Sequence, residues 1–267
     1  MFRIEDIRGT DDHILAYKIV ENQYIENFLD RGQIYFGLLR VYREMESRDK
    51  SDIGDSYEAA LTNQVTQYMD IDGEWVEIHG QNAGNTIRIN ANQCAFCFYM
   101  VGLNSFEKCT ENKYRFLIRH SILEKICADK GGVENCSIVI FGHDTIHGIY
   151  KALQARNLRY AGRKVVYDDL NYQPKHEIGS WQYALECCFH KRKKYAYQNE
   201  FRIAALNTQD SAIDDLFVES AKQDFQVVML KPGCDFQCNV DMHYEKLTDK
   251  AVNVSFNFTH SLINGDR

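Results

Sequence analysis

The order of its apolar runs is what most restricts the fold of this chain. Residues 13–19 read as a short strand, and behind them Val20, Tyr24, Ile25, Phe28 and Leu29 recur at helical spacing until Gly32, where a helix commonly ends. A strand over 33–36 follows. Further strands are expected at 91–101, 114–118, 137–141, 164–167, 200–205, 226–230 and 252–258. Helices are expected over 143–155, around 180–189, and from the capping-box pair Ser121 and Glu124 to the stop at Gly131-Gly132. Residues 65–69 and 75–78 flank Asp70-Ile71-Asp72-Gly73-Glu74, whose Asp-Gly suits a hairpin turn, so a hairpin insertion is expected near 62–80. Hairpins mixed with single helices, without regular strand–helix alternation or a Gly-rich phosphate loop, predict an α+β protein. Its core is a mixed, largely antiparallel sheet with short helices.

Nothing in the composition divides that pattern. The 267 residues include only two prolines and no Gly/Ser-rich linker, so 1–267 reads as a single elaborated domain. A formal charge of −7 argues against binding nucleic acid through the overall field, which leaves the basic clusters 156–164 and 191–194 as contact surfaces or solvated faces. No apolar signal core opens the chain and no apolar run is long enough for a bilayer, so a cytoplasmic location without membrane partners is expected. Nine cysteines in apolar contexts read as reduced core thiols. Cys94-x-x-Cys97 and Cys234-x-x-x-Cys238 offer four thiolates for zinc, but the first pair lies in a strand-like run, and no metal is expected.

The chemistry concentrates between Lys191 and Ile203. A basic, aromatic stretch carrying Tyr195 and Tyr197 runs into Gln198-Asn199-Glu200, and Glu200 opens a strand-like Phe-Arg-Ile run. A carboxylate at the edge of a cleft stabilises positive charge on a reacting ligand; the structural alternative pairs Glu200 with Arg202 or a nearby lysine.

Two resemblances bear on that segment. The run Tyr17-Lys18-Ile19-Val20-Glu21-Asn22, followed by Tyr24, Ile25, Phe28, Leu29, Gly32 and Ile34, resembles the opening of ADP-ribosyltransferases, particularly the DNA-modifying bacterial toxins. Gln198-x-Glu200 resembles the Gln-x-Glu or Glu-x-Glu pair that closes the active site in that superfamily. Residues 15–205 also resemble a bacterial domain family of unknown function, through the Tyr-Lys start, the glycine before Ile-Tyr-Phe, a Cys-Phe strand, a Val-x-Tyr and the Glu-Phe-Arg-Ile run. The first resemblance implies nicotinamide adenine dinucleotide (NAD) as substrate, Glu200 and Gln198 as catalytic residues, and Tyr17, Lys18, Tyr195 and Tyr197 around the dinucleotide. It also implies a macromolecular acceptor, nucleic acid or protein, in a toxin or phage-defence setting. Lys18 departs from the His or Arg usual there: an ammonium holds phosphate as a point charge but lacks the guanidinium fork, so either His13, Arg43 or Arg48 assists or the site holds a different ligand.

Other constellations compete. His143-Asp144-x-x-His147 has the i, i+4 spacing of a two-histidine metal site without the catalytic Glu of zinc proteases. Asp49, Asp55 and Glu58 offer metal ligands for a nuclease. Asp70-x-Asp72-Gly73 lacks the downstream ligands of a calcium loop. Cys187-Cys188 beside His190 does not make a dyad, because neighbours along a helix point apart. A non-catalytic ligand-sensing domain is the remaining alternative.

Overall fold

The computed structural model describes residues 13–42, 44, 60–64, 67–71, 74–78, 84–88, 92–102, 105–110, 112–168, 175–177, 179–209, 211–219, 225–248 and 251–265. In chain order the first half runs β1 (His13–Glu21), α1 (Ile25–Arg31), β2 (Gln33–Leu38), β3 (Ala60–Gln64), β4 (Gln67–Ile71), β5 (Glu74–Ile78), β6 (Gly84–Arg88), β7 (Gln93–Gly102), β8 (Glu107–Lys108), β9 (Lys113–Ile118) and α2 (His120–Cys127). The second runs β10 (Cys136–Phe141), α3 (His143–Ala155), β11 (Arg159–Lys164), β12 (Val166–Asp168), α4 (Trp181–Cys187), β13 (His190–Arg192), β14 (Glu200–Leu206), β15 (Ile213–Phe217), β16 (Gln226–Met229), β17 (Cys234–Thr248) and β18 (Ala251–Asn264). The protein is α+β, with mostly antiparallel sheets and few, short helices. No described helix is long and apolar enough to cross a membrane.

The chain divides into two compact units, each discontinuous in sequence: residues 1–33, 98–148 and 217–267 in one, 34–97 and 149–216 in the other. A partition that the chain enters and leaves inside strands and helices carries no linker composition, which is why none marks it.

In the first unit β1 lies between β10 and the second half of β7, with β16 beyond β10, all antiparallel. Period-2 alternation sends Leu15, Tyr17 and Ile19 to one face, where they join Ile138 and Ile140 of β10 in a buried cluster. The same cluster takes Phe236, Cys238, Val240 and Met242, alternate residues of β17, which belongs to the antiparallel sheet β18-β17-β9-β8. Gly32 closes α1 in the left-handed region, φ 59°, and donates to Phe28 O, as the sequence predicts. The expected capping box at Ser121 does not form. Helix α2 begins one residue earlier with no local side-chain cap; buried Asp235 of β17 instead accepts the His120 N–H at 2.6 Å and the Arg119 guanidinium at 3.0 Å.

In the second unit β14 pairs with β11 and β7, and β7 also pairs with β2, which pairs with β15. Strands β12 and β13 form a short parallel pair. β4 and β5 pair antiparallel with Ile71 opposite Glu74, within the expected 62–80 hairpin, and β3 and β6 form a second antiparallel pair. Helix α4 starts at Ser180, whose hydroxyl accepts from Tyr183 N, and its Tyr183, Leu185 and Cys187 pack with Ala95 of β7 and Ala204 of β14. Small residues on those strands let the helix come close.

Two expectations need correction. A single strand at 164–167 is in fact β11 and β12, because Val165 N–H bonds Glu200 O while Val166 N–H turns to Phe189 O. Strand β17, the longest among the described residues, lies outside the expected set, and β18 runs on to Asn264.

Candidate functional site

Glu200 opens β14, and Arg202, two positions on, shares its face. Lys191 sits in the middle of β13, whose pairing with β12 places Tyr167 directly opposite it. Tyr167 and Lys191 therefore share one face of that parallel pair, while His190 and Asp168 fall on the other, joined at 2.9 Å between Nδ1 and Oδ2. These strands bring four polar side chains together. Lys191 Nζ donates to Glu200 Oε2 at 3.2 Å and to Gln198 Oε1 at 2.8 Å. Arg202 Nη2 donates to the same Glu200 Oε2 at 3.0 Å, and Arg202 Nη1 donates to Cys188 O at 2.6 Å. The phenol of Tyr167 accepts the Glu200 backbone N–H at 2.9 Å.

The setting is nearly dry. The Lys191, Arg202 and Glu200 side chains are 4%, 1% and 12% exposed. Burial is the largest influence on the Glu200 carboxyl and pushes its pKa up, but the Arg202 and Lys191 charges, with hydrogen bonds from Cys97 and Lys191, outweigh it and bring the pKa to about 2. The carboxylate is ionised throughout the neutral range. Burial and then the Glu200 charge raise Tyr167; burial, Cys97 and Glu200 raise Tyr42, so both phenols keep their protons. Tyr42 reaches in because Gly37 of β2 has no side chain: a Cβ there would lie 2.8 Å from the Tyr42 hydroxyl. Both cations bond the same oxygen, Oε2, which makes the carboxylate asymmetric; the further donor to it is the Cys97 thiol, a weak one.

The structural alternative for Glu200, pairing with Arg202 or a nearby lysine, is what the geometry contains, with both partners at once. Gln198 is not on the strand with Glu200. It ends a 3-10 helix over Lys193–Gln198, and Asn199, at φ 41°, turns the chain so that both side chains reach Lys191. Tyr195 is buried beneath a cationic cap, with Lys191 Nζ 5.4 Å, Arg192 5.6 Å and Lys194 Nζ 4.7 Å from its ring centre; Tyr197 is half-buried. Lys191, expected on a solvated or contact surface, is instead interior, and Lys193 and Lys194 are the exposed members of that cluster.

Tyr17 and Lys18 belong to the first unit and Gln198 and Glu200 to the second. The Tyr17 ring stacks on Tyr99 at 4.8 Å and 8° and tilts against Phe116, so it fills the core; burial raises its pKa. Lys18 is half-buried on the opposite face of β1. Arg43 and Arg48, with Asp49, Asp55 and Glu58, lie outside the described residues, as does the Asp72-Gly73 turn.

The thiol pairs do not fit zinc. Cys94 and Cys97, three apart on β7, point to opposite faces, and Cys234 and Cys238, four apart on β17, are about 13 Å apart along the strand. His143 and His147 are exposed and stack at 6.3 Å on α3. Among the described residues no group of three or more His, Cys, Asp or Glu is placed to hold a metal ion.

Of the residues that surround Glu200, sequence reasoning missed Tyr42, Cys97 and Tyr167 and misread Lys191. Tyr167 and Cys97 lie in the Val-x-Tyr and Cys-Phe runs of the second resemblance, which is the signal that marks them. Compared with known protein families, characterised proteins and solved structures, the chain has no match.

Proposed function

We propose that this chain is an ADP-ribosyltransferase-like protein that splits NAD at the nicotinamide bond and passes ADP-ribose to water or a macromolecular acceptor. The observation that carries the reading is the asymmetric, ionised Glu200 carboxylate. Lys191 and Arg202 both bond Oε2 and fix the carboxylate's orientation, so that among the described residues both cations lie on one of its two oxygens. Loss of nicotinamide creates an oxocarbenium ion on the ribose, and an oriented carboxylate in a dry site stabilises that charge more than the ground state. Lys191 also fixes the Gln198 amide beside the carboxylate through its Oε1, where that side chain can orient an acceptor. The phenols of Tyr42 and Tyr167 add neutral donors beside the carboxylate.

Purified protein incubated with NAD labelled in both halves, with and without cell lysate, tests the proposal. The expected result is release of nicotinamide, lowered ~10²–10³-fold by Glu200→Asp, which keeps the charge and withdraws it. Neither nicotinamide nor a labelled product from the wild-type chain overturns it. The double pairing of Glu200 favours a second reading, a non-catalytic ligand-binding domain, which predicts that NAD raises the melting temperature while remaining intact.

A further inference from the structure

Two stretches of the second unit hold several cations and no acid: 156–167 carries Arg156, Arg159, Arg163 and Lys164, and 187–199 carries Lys191, Arg192, Lys193 and Lys194. In a chain of net charge −7 they stand apart from the rest. The fold joins them. Among the described residues β11 is the outermost strand of its sheet; it runs on into β12, and β12 pairs parallel with β13, whose next residues are Lys193 and Lys194. Arg159, Arg163, Lys164, Lys193 and Lys194 are exposed. Arg156 is paired with Asp215, and Asp168, the acid that ends β12, is bonded to His190.

Aromatic rings, rather than carboxylates, hold the two exposed arginines. The Arg159 guanidinium lies 5.1 Å from the Trp181 ring centre, and that of Arg163 lies 4.5 Å from the ring centre of buried Phe189. No carboxylate pairs with either among the described residues. Stacking fixes the plane of a guanidinium and leaves its N–H fork open at the edge, the geometry that grips phosphate. Four positions apart on β11, the two arginines share a face and stand about 13 Å from each other along the strand. Trp181, at the start of α4, keeps 42% of its surface exposed beside Arg159.

We infer that this surface binds single-stranded nucleic acid, with phosphates on Arg159, Arg163, Lys164 and Lys193 and a base stacked on Trp181. The row of cations supplies charge complementarity to a polyanion, and it does so locally, against the overall negative field. The exposed indole beside it selects an unpaired strand, because only an unstacked base offers its face to a ring. The inference goes beyond the NAD chemistry and is tested without NAD.

The test titrates full-length protein against a fluorescein-labelled oligothymidylate and reads anisotropy over a range of salt. The expected result is saturable binding whose log K falls against log salt with a slope of about −3, from about 0.7 for each of four phosphate contacts. The double change Arg163→Ala, Lys164→Ala is expected to reduce that slope by about 1.4. Trp181→Ala is expected to weaken binding about 5–150-fold, the loss of one stacked base. Lys231→Ala, at an exposed lysine of the first unit, should leave both unchanged. The chain has two tryptophans, so Trp75→Phe leaves Trp181 as the sole emitter, and the oligonucleotide is expected to quench it. The wild-type salt slope decides the matter if a variant does not fold. No binding at low salt, affinity indifferent to Arg163, Lys164 and Trp181, tighter binding once the strand is paired with oligoadenylate, or equal binding to polyglutamate or phosphatidylserine vesicles would overturn the inference.

Discussion

Replacing Glu200 with Gln keeps its shape and removes its charge, leaving Lys191 and Arg202, 4% and 1% exposed, without the anion they share. The size of the effect follows from titration. The carboxyl pKa falls from an ordinary 4.5 to about 2 in the folded protein, and at about 1.4 kcal/mol per pH unit that difference is worth about 3 kcal/mol. Removing one partner of a buried pair costs about 3–5 kcal/mol, which agrees. Because the folded pKa is the lower one, the contribution is complete above pH 4.5, fades as pH falls toward 2, and is gone below it. The assay is urea unfolding of wild type and Glu200→Gln across that range, read as their difference so that other carboxylates cancel. A gap of about 3 kcal/mol at pH 7 that closes in acid is expected. Equal stability at pH 7, or a gap independent of pH, would refute the reasoning.

Other substitutions probe the scaffold. Asp235→Ala removes the long-range cap of α2 and is expected to cost about 1–2 kcal/mol, with faster amide exchange confined to the first turn of that helix. Gly32→Ala places a Cβ at φ 59° and should lower stability by about 1 kcal/mol in denaturant titration. Tyr195→Phe keeps the ring under its three cations and should melt near wild type, whereas Tyr195→Leu should fall further by about 1–2 kcal/mol.

How far the sequence reached depends on the kind of signal each segment carries. Helix α1 with its Gly32 cap, the β4–β5 pair, α3 and the opening of β14 are local: each needs only residues within a turn or a strand of one another. Strand β17 has an equally local code, Phe236, Cys238, Val240 and Met242 alternating with polar residues, a half-apolar pattern weaker than the continuous apolar runs that mark the other core strands. The cap of α2 could not be read from neighbours, since Asp235 is 115 positions from His120. The site behaves likewise. The Glu200–Arg202 pair follows from period 2 within one strand, whereas Lys191 against the Tyr195 ring, and Tyr42 over Gly37, depend on pairings that the basic stretch and the 33–42 segment do not announce.

The central claim is that Glu200 Oε1 engages the ribose whose bond to nicotinamide breaks. A crystal structure of the protein with a non-hydrolysable NAD analogue measures it directly. The account predicts the ribose 2′-hydroxyl at about 2.6–3.2 Å from Oε1, with Oε2 still on Lys191 and Arg202. An analogue bound away from Glu200, or a carboxylate whose two oxygens remain wholly taken up by protein donors with the analogue present, would contradict it.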